Sequence, residues 1–193
     1  MITLLVWFLW ISILFIFNGA TFVLPLIISK KTAQQIASFW DNPFTMIISP
    51  SLAEIPAAVL CYYLIDHPRF GRKNLLLYSL SITMIAYLVC YFMTVFFFIF
   101  FFVLGRFSFV LGYSGSYTYT SELYHTSVRS TAVGMASAIG RFGAIFMPIV
   151  LLSSLNVSIA FPFLVLSIVC LLRAVAVFFF PLDTYYKKLD FEF

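Results

Sequence analysis

The chain has 193 residues, of which 63% are hydrophobic and only 9% charged, whereas an ordinary soluble domain carries about 25% charged residues. With a mean hydropathy of +1.08 the chain has too little polar surface for water, so its solvent is lipid; a soluble enzyme, a nucleic-acid binder and a β-barrel with period-two alternation are excluded. The formal net charge of +4 reads in such a chain as basic loops held on the cytosolic side rather than as a signal for an anionic partner.

A spanning helix needs about 20 apolar residues, and six such blocks follow one another, predicting an all-α integral membrane domain with the lipid bilayer as its first partner. The first block, residues 2–28, has neither a basic leader nor a small-residue cleavage pattern, which predicts a retained helix rather than a signal peptide. The polar stretch from Ser29 to Gln35 opens the longest loop, and the second block, 44–65, carries Glu54 and Pro56. The basic loop DHPRFGRK (66–73) separates it from the third block, 75–93, which runs almost directly into the fourth, 95–120. After the polar break ELYHTSVR (122–129) come the fifth block, 131–152, with Arg141 and Pro148, and the sixth, 157–180, with Pro162 and Arg173. Residues 181–193 form a short charged tail. No linker divides the chain, so 1–193 reads as one membrane domain.

Six spans put both termini and the loops after spans two and four on one side. Those segments hold Arg69, Arg72, Lys73, Arg129, Lys187 and Lys188, six basic residues, whereas the opposite loops hold two, Lys30 and Lys31. The positive-inside rule therefore predicts cytosolic termini and a cytosolic tail.

Ionisable side chains at membrane depth cost about 2.5–3.5 kcal/mol each on insertion scales, so each calls for a partner or a hydrated cavity. Glu54 and Arg141 both fall near mid-span, Arg141 inside the small-residue setting GRFG (140–143). Two readings stay open for them: a cavity-facing ligand site, or a buried ion pair of Arg141 with Glu54. Arg106 reads as a structural clamp, and Arg173, nearer the cytosolic end, as a side chain that snorkels to the interface. On span four Tyr113 and Tyr117 share one helix face, as do Ser116 and Thr120, giving a polar aromatic stripe suited to an aqueous path.

No enzyme is read from these residues. His67 and His125 stand in loops without nucleophile or metal-ligand geometry, and no phosphate-binding Gly-rich loop is present. Cys61, Cys90 and Cys170 lie in apolar stretches without a CxxC pair, so they read as small buried hydrophobes. No metal and no cofactor is expected.

The stretch YTSELYHTSVRSTAVG (119–134), followed by GRFGAIFMP (140–148), resembles the second half of the major facilitator superfamily, and within it the branch of organic ion transporters and synaptic-vesicle-protein-like members. LAEIP (52–56) resembles that branch's eighth helix, RFGRK (69–73) the superfamily's basic loop, and 181–189 its closing motif. The resemblance places the six spans as helices seven to twelve of a twelve-helix transporter, the second of its two six-helix bundles. It implies a cytosolic charge network of Asp66, Arg69, Arg72, Glu122 and Arg129 that locks one conformation, since such a switch needs only a few kcal/mol of differential contact. It also implies a substrate cavity lined by Arg141, with Tyr113, Tyr117 and Glu54 on the cavity-facing helices. By that same resemblance, arginine at position 141 implies a small organic ion, an anion before a cation.

Three departures from the family pattern accompany the match: His67 and Pro68 separate Asp66 from Arg69, His125 stands where the family has Pro, and the closing motif keeps only Pro181 and Thr184. Alternating access needs two bundles, so a partner bundle is expected: an N-terminal half, a second copy or another membrane subunit. The main functional expectation is a half-transporter of small organic ions. The alternative is a transporter-derived scaffold or accessory subunit that no longer transports.

Overall fold

The computed structural model describes residues 2–31, 43–65, 72–92 and 95–180. Its elements are six α-helices: α1 (Ile2–Lys31), α2 (Pro43–Ile65), α3 (Arg72–Phe92), α4 (Val95–Leu123), α5 (Arg129–Leu155) and α6 (Phe161–Phe178). All six contain stretches long and apolar enough to cross a membrane. Lipid offers backbone N–H and C=O groups no partner, so an apolar chain closes those bonds within each helix. For the same reason Pro25 in α1, Pro50 and Pro56 in α2 and Pro148 in α5 are accommodated inside helices. The sixth helix starts at Phe161, not at 157 as the apolar pattern predicts. Asn156 caps α5, and the Phe161 N–H bonds Ser158 through both its carbonyl (3.3 Å) and its hydroxyl (3.1 Å). Polar side chains that bond nearby backbone make the turn, and Pro162 sits in the first turn of α6, where its missing N–H is tolerated.

The helices associate by close packing, because lipid tails remove the hydrophobic drive between them. α1 lies along α5 and α6, α4 along α2 and α3, and α3 along α6; the backbones of α1 and α4 approach at few points, and aromatic side chains close the seam between them. Two glycines set the α1–α5 approach. A Cβ at Gly140 would lie 2.9 Å from the Trp10 carbonyl oxygen, and one at Gly143 would overlap the Ile11 carbonyl oxygen. Gly112 does the same for α3 and α4, where a Cβ would lie 2.5 Å from Ser79 Oγ.

The two flanking helices differ from the rest. Only 17% of the spanning stretch of α2 and 28% of that of α5 are buried, against 44–50% in the other four helices. On α2 only one stripe turns inward, through Ala57, Cys61 and Ile65, so the outer faces of α2 and α5 are the broad open surfaces of the bundle.

Candidate functional site

The seam between α1 and α4 is filled by a wall of aromatic rings. Trp10 and Phe17 are seven residues apart and so share a face of α1, as Phe109, Tyr113 and Tyr117 share a face of α4. The two faces meet: Trp10 stands edge-on to Tyr117 with centroids 4.5 Å apart, and Phe17 stacks on Tyr113 at 5.7 Å and on Phe109 at 6.4 Å. Tyr113 and Tyr117 are themselves edge-to-face at 5.2 Å with their hydroxyls 3.2 Å apart. Toward the N-terminus of α1 the chain leaves a pocket of about 230 Å³, lined by Thr3, Trp7, Tyr124, Val128, Thr131 and Met135 among others.

Ser116 and Thr120 lie beside that wall rather than open to it, Thr120 touching it by accepting the Trp10 indole N–H at 3.2 Å. Both are buried, and each donates its hydroxyl to the carbonyl four residues back, Ser116 to Gly112 at 2.6 Å and Thr120 to Ser116 at 2.7 Å. They form a polar back to the stripe instead of lining an aqueous path. Their spacing puts them on a different helix face from the tyrosines, and the backbone acceptors of their own helix satisfy them.

Further along the seam, beside Phe17, Arg106 joins three helices. From α4 it pairs with Glu54 of α2, donates to the Phe17 carbonyl of α1 at 3.1 Å, and lies over the Phe17 ring at 4.8 Å. Arg106 is buried, while the Glu54 side chain keeps 27% of its exposure. The carboxylate that the sequence offered as a partner for Arg141 is thus engaged by Arg106. The reason is geometric: α2 lies along α4, not along α5.

Arg141 occupies a contrasting position. It is exposed on α5 and has no hydrogen bond or ion pair among the described residues. Gly140 and Gly143 press against α1 at Trp10 and Ile11, and at about 100° per residue this turns Arg141 away from that contact. It shares an open stripe with Gly134, Ala138 and Ile145, all exposed, at the level of Trp10 along α1.

Arg173 departs from its expectation. Instead of snorkelling it is completely buried, and it donates from Nη2 to Ser116 Oγ at 2.7 Å. The inward face of α6, with Ser167, Cys170 and Ala176, carries it toward the core.

The chemistry these groups offer is binding. Aromatic faces hold a flat organic body, tyrosine hydroxyls provide polar tips, and a free guanidinium accepts a carboxylate through paired hydrogen bonds. Among the described residues no three His, Cys, Asp or Glu side chains come together as metal ligands.

The family model described as Major Facilitator Superfamily matches residues 5–191. The chain belongs to this superfamily. Relatives within it include the synaptic vesicle 2-related protein of Xenopus laevis, 28% identical over 198 residues that cover 94% of this chain and 36% of the relative. Solute carrier family 22 member 16 of Bos taurus is 32% identical over 182 residues, covering 93% of this chain and 29% of its own. The niacin transporter NiaP of Acinetobacter baylyi is 30% identical over 149 residues, 77% of this chain and 32% of its own. The chain therefore spans about a third of the length of these relatives. Superfamily membership and six apolar helices make it an integral, multi-pass membrane protein.

Of the residues that the resemblance implies for a loop charge network, Arg72 at the start of α3 pairs with Glu122 in the last turn of α4. Arg129 opens α5 with its Nε buried and without a hydrogen-bond partner. Asp66 and Arg69 lie outside the described residues. Trp10, Phe17 and Phe109, three of the five rings of the aromatic wall, were not singled out from the sequence. α1 is apolar on every side, so nothing along it marks one face, and the only signal was the four-residue spacing of the tyrosines opposite.

Proposed function

We propose that this chain is one six-helix bundle of a transporter for small organic ions, anions above all, that works by alternating access against a partner bundle. The observation that carries the reading is Arg141. An unpaired cation near mid-span is expensive in lipid, and here it stands on an open helix face at the level of Trp10, where a hydrated cavity and an anionic guest would stabilise it. The Arg72–Glu122 pair joins the ends of α3 and α4 and fits a seam that opens as the bundles rock. The relatives named as a niacin transporter and a solute carrier agree with small organic cargo.

The test uses two probes with the same ring and opposite charge, benzoate and benzylamine, in liposomes that hold the purified chain with whatever bundle co-purifies in mild detergent. Saturable benzoate flux that exceeds benzylamine flux and disappears in Arg141→Ala supports the proposal. Absence of flux in every pairing overturns it. A second reading, a transporter-derived accessory subunit, draws on the altered loop and closing motifs around His67, Pro68 and Thr184; stoichiometric, unrelated membrane subunits in the same preparation would favour it.

The orientation is part of the proposal. With termini in the cytosol, an impermeant amine reagent reaches Lys187 and Lys188 only from that side, and Lys30 and Lys31 only from the other. Labelling of both pairs from one side overturns the arrangement. Lys73 is a poor reporter, since its ammonium donates to the Phe178 and Phe180 carbonyls at 3.1 and 2.6 Å.

A further inference from the structure

Arg173 is the one described cation of the bundle core that faces no carboxylate. The acidic residues among those described are Glu54 and Glu122, and they pair with Arg106 and Arg72. A guanidinium does not shed its proton to escape burial, and burying an ion without a counter-charge is costly. What Arg173 obtains in return is one hydrogen bond, to Ser116 Oγ, and the face of the Phe109 ring at 5.7 Å; its Nε and Nη1 have no hydrogen-bond partner. Stability alone gives no reason for that choice, because an apolar side chain of similar length would fill the same volume without the penalty.

The geometry gives another reason. The backbones of α4 and α6 nowhere come within 8 Å of each other, Cα to Cα; both pack on α3, and the remaining gap is bridged by long side chains: Phe163 against Phe98 and Phe102, Phe180 just past α6 against Tyr119, and Arg173 against Ser116. Rings slide over one another at little cost, whereas a charge-assisted hydrogen bond has a direction. Ser116 is prepared to receive it. Its proton goes to the Gly112 carbonyl, which leaves its lone pairs for Arg173. One turn on, Thr120 donates to the Ser116 carbonyl, and the Trp10 indole N–H donates from α1 to Thr120 Oγ1 at 3.2 Å. That bond holds Trp10 edge-on to Tyr117. A relay of directed contacts thus runs from Arg173 behind α4, through Ser116 and Thr120, to the aromatic wall in front of it.

We propose that Arg173 is a positioning residue for the α1–α4 aromatic seam: it fixes the rotation of α4 and so the placement of Trp10 against Tyr117, and through the exposed Tyr117 edge the affinity of that face for its guest. The clause about a guest rests on the function proposed above; the placement of Trp10 does not.

The experiment compares full-length wild type with Arg173→Met, Arg173→Lys and Ser116→Ala in nanodiscs. It reads thermal melting, the indole N–H resonance of Trp10 in ¹⁵N-tryptophan-labelled protein (assigned with Trp10→Phe), and equilibrium binding of benzoate. Arg173→Met is expected to melt no lower than wild type while the Trp10 resonance shifts and its exchange with solvent accelerates. Benzoate affinity is expected to fall about tenfold, the loss that follows from one misplaced hydrogen-bonding contact. Ser116→Ala should reproduce both changes, and Arg173→Lys, which keeps a donor, should recover much of the wild-type resonance. An unmoved Trp10 resonance in folded Arg173→Met and Ser116→Ala overturns the proposal, as does a large drop in the melting temperature of Arg173→Met, which would mark an ordinary structural role. If wild type binds no benzoate, the anion reading fails, and the Trp10 resonance still decides the fate of Arg173.

Discussion

Arg106 and Arg141 are the same residue near mid-span of two different helices, and they have opposite surroundings. Arg106 is buried against a carboxylate, a carbonyl and an aromatic face contributed by two neighbouring helices. Arg141 is exposed, turned outward by two glycines that press its helix onto α1. The membrane penalty is met in the first case inside the bundle and in the second must be met outside it, by water, a guest or a partner. Charge at membrane depth is therefore no guide to role by itself; what distinguishes the two is whether neighbouring helices provide the counter-groups.

Removing each arginine should separate them, with the largest effect at Arg106. Arg106→Ala leaves Glu54 without its cation and should lower stability by about 3 kcal/mol, near the low end for a broken buried pair because Glu54 is partly exposed. Thermal melting of the double variant Arg106→Ala/Glu54→Gln should recover most of that loss, and failure to recover would show that the pair is not the source of the stability. Gly143→Val inserts a branched side chain where a single Cβ already overlaps the Ile11 carbonyl. It should cost about 2 kcal/mol through overpacking, and a cysteine cross-link between α1 and α5 would report the separation of the helices.

Arg141→Ala should change melting by no more than about 0.5 kcal/mol, as for a surface substitution, while benzoate affinity falls tenfold or more, in line with about 1.5–3 kcal/mol for a hydrogen bond to a charged group. A strongly destabilised Arg141→Ala would place a hidden structural partner beside it and remove the contrast with Arg106. The smallest effect belongs to Tyr117→Phe. It removes the 3.2 Å contact with the Tyr113 hydroxyl but keeps the ring against Trp10, and should cost at most about 0.5–1 kcal/mol of binding or stability. A larger loss of benzoate affinity in this variant would show that the hydroxyl touches the guest directly.

The sequence by itself determined the solvent, the number of spans and the fold class, because a run of apolar residues as long as the bilayer is thick has one low-energy form, a helix with its backbone bonded internally. The ordered motifs around LAEIP, RFGRK, YTSELYHTSVR and GRFG were enough to indicate the superfamily. Helix ends were less legible. The segment 157–160 is apolar yet forms a turn, since hydropathy does not register the backbone preferences of Asn156, Ser158 and Pro162. Partners across helices were beyond reach, because residues far apart in the chain meet only through the way the six cylinders pack. Glu54 has its cation on α4 because α2 lies along α4, and Trp10 and Phe17 acquire a role only when α1 turns one of its uniformly apolar sides toward the tyrosines. For Arg173, seven residues before the last apolar block ends at Phe180, a short reach to the interface was the obvious expectation. Its burial was decided by the face that α6 turns to the core and by the hydroxyl of Ser116 on a helix 57 residues earlier in the chain.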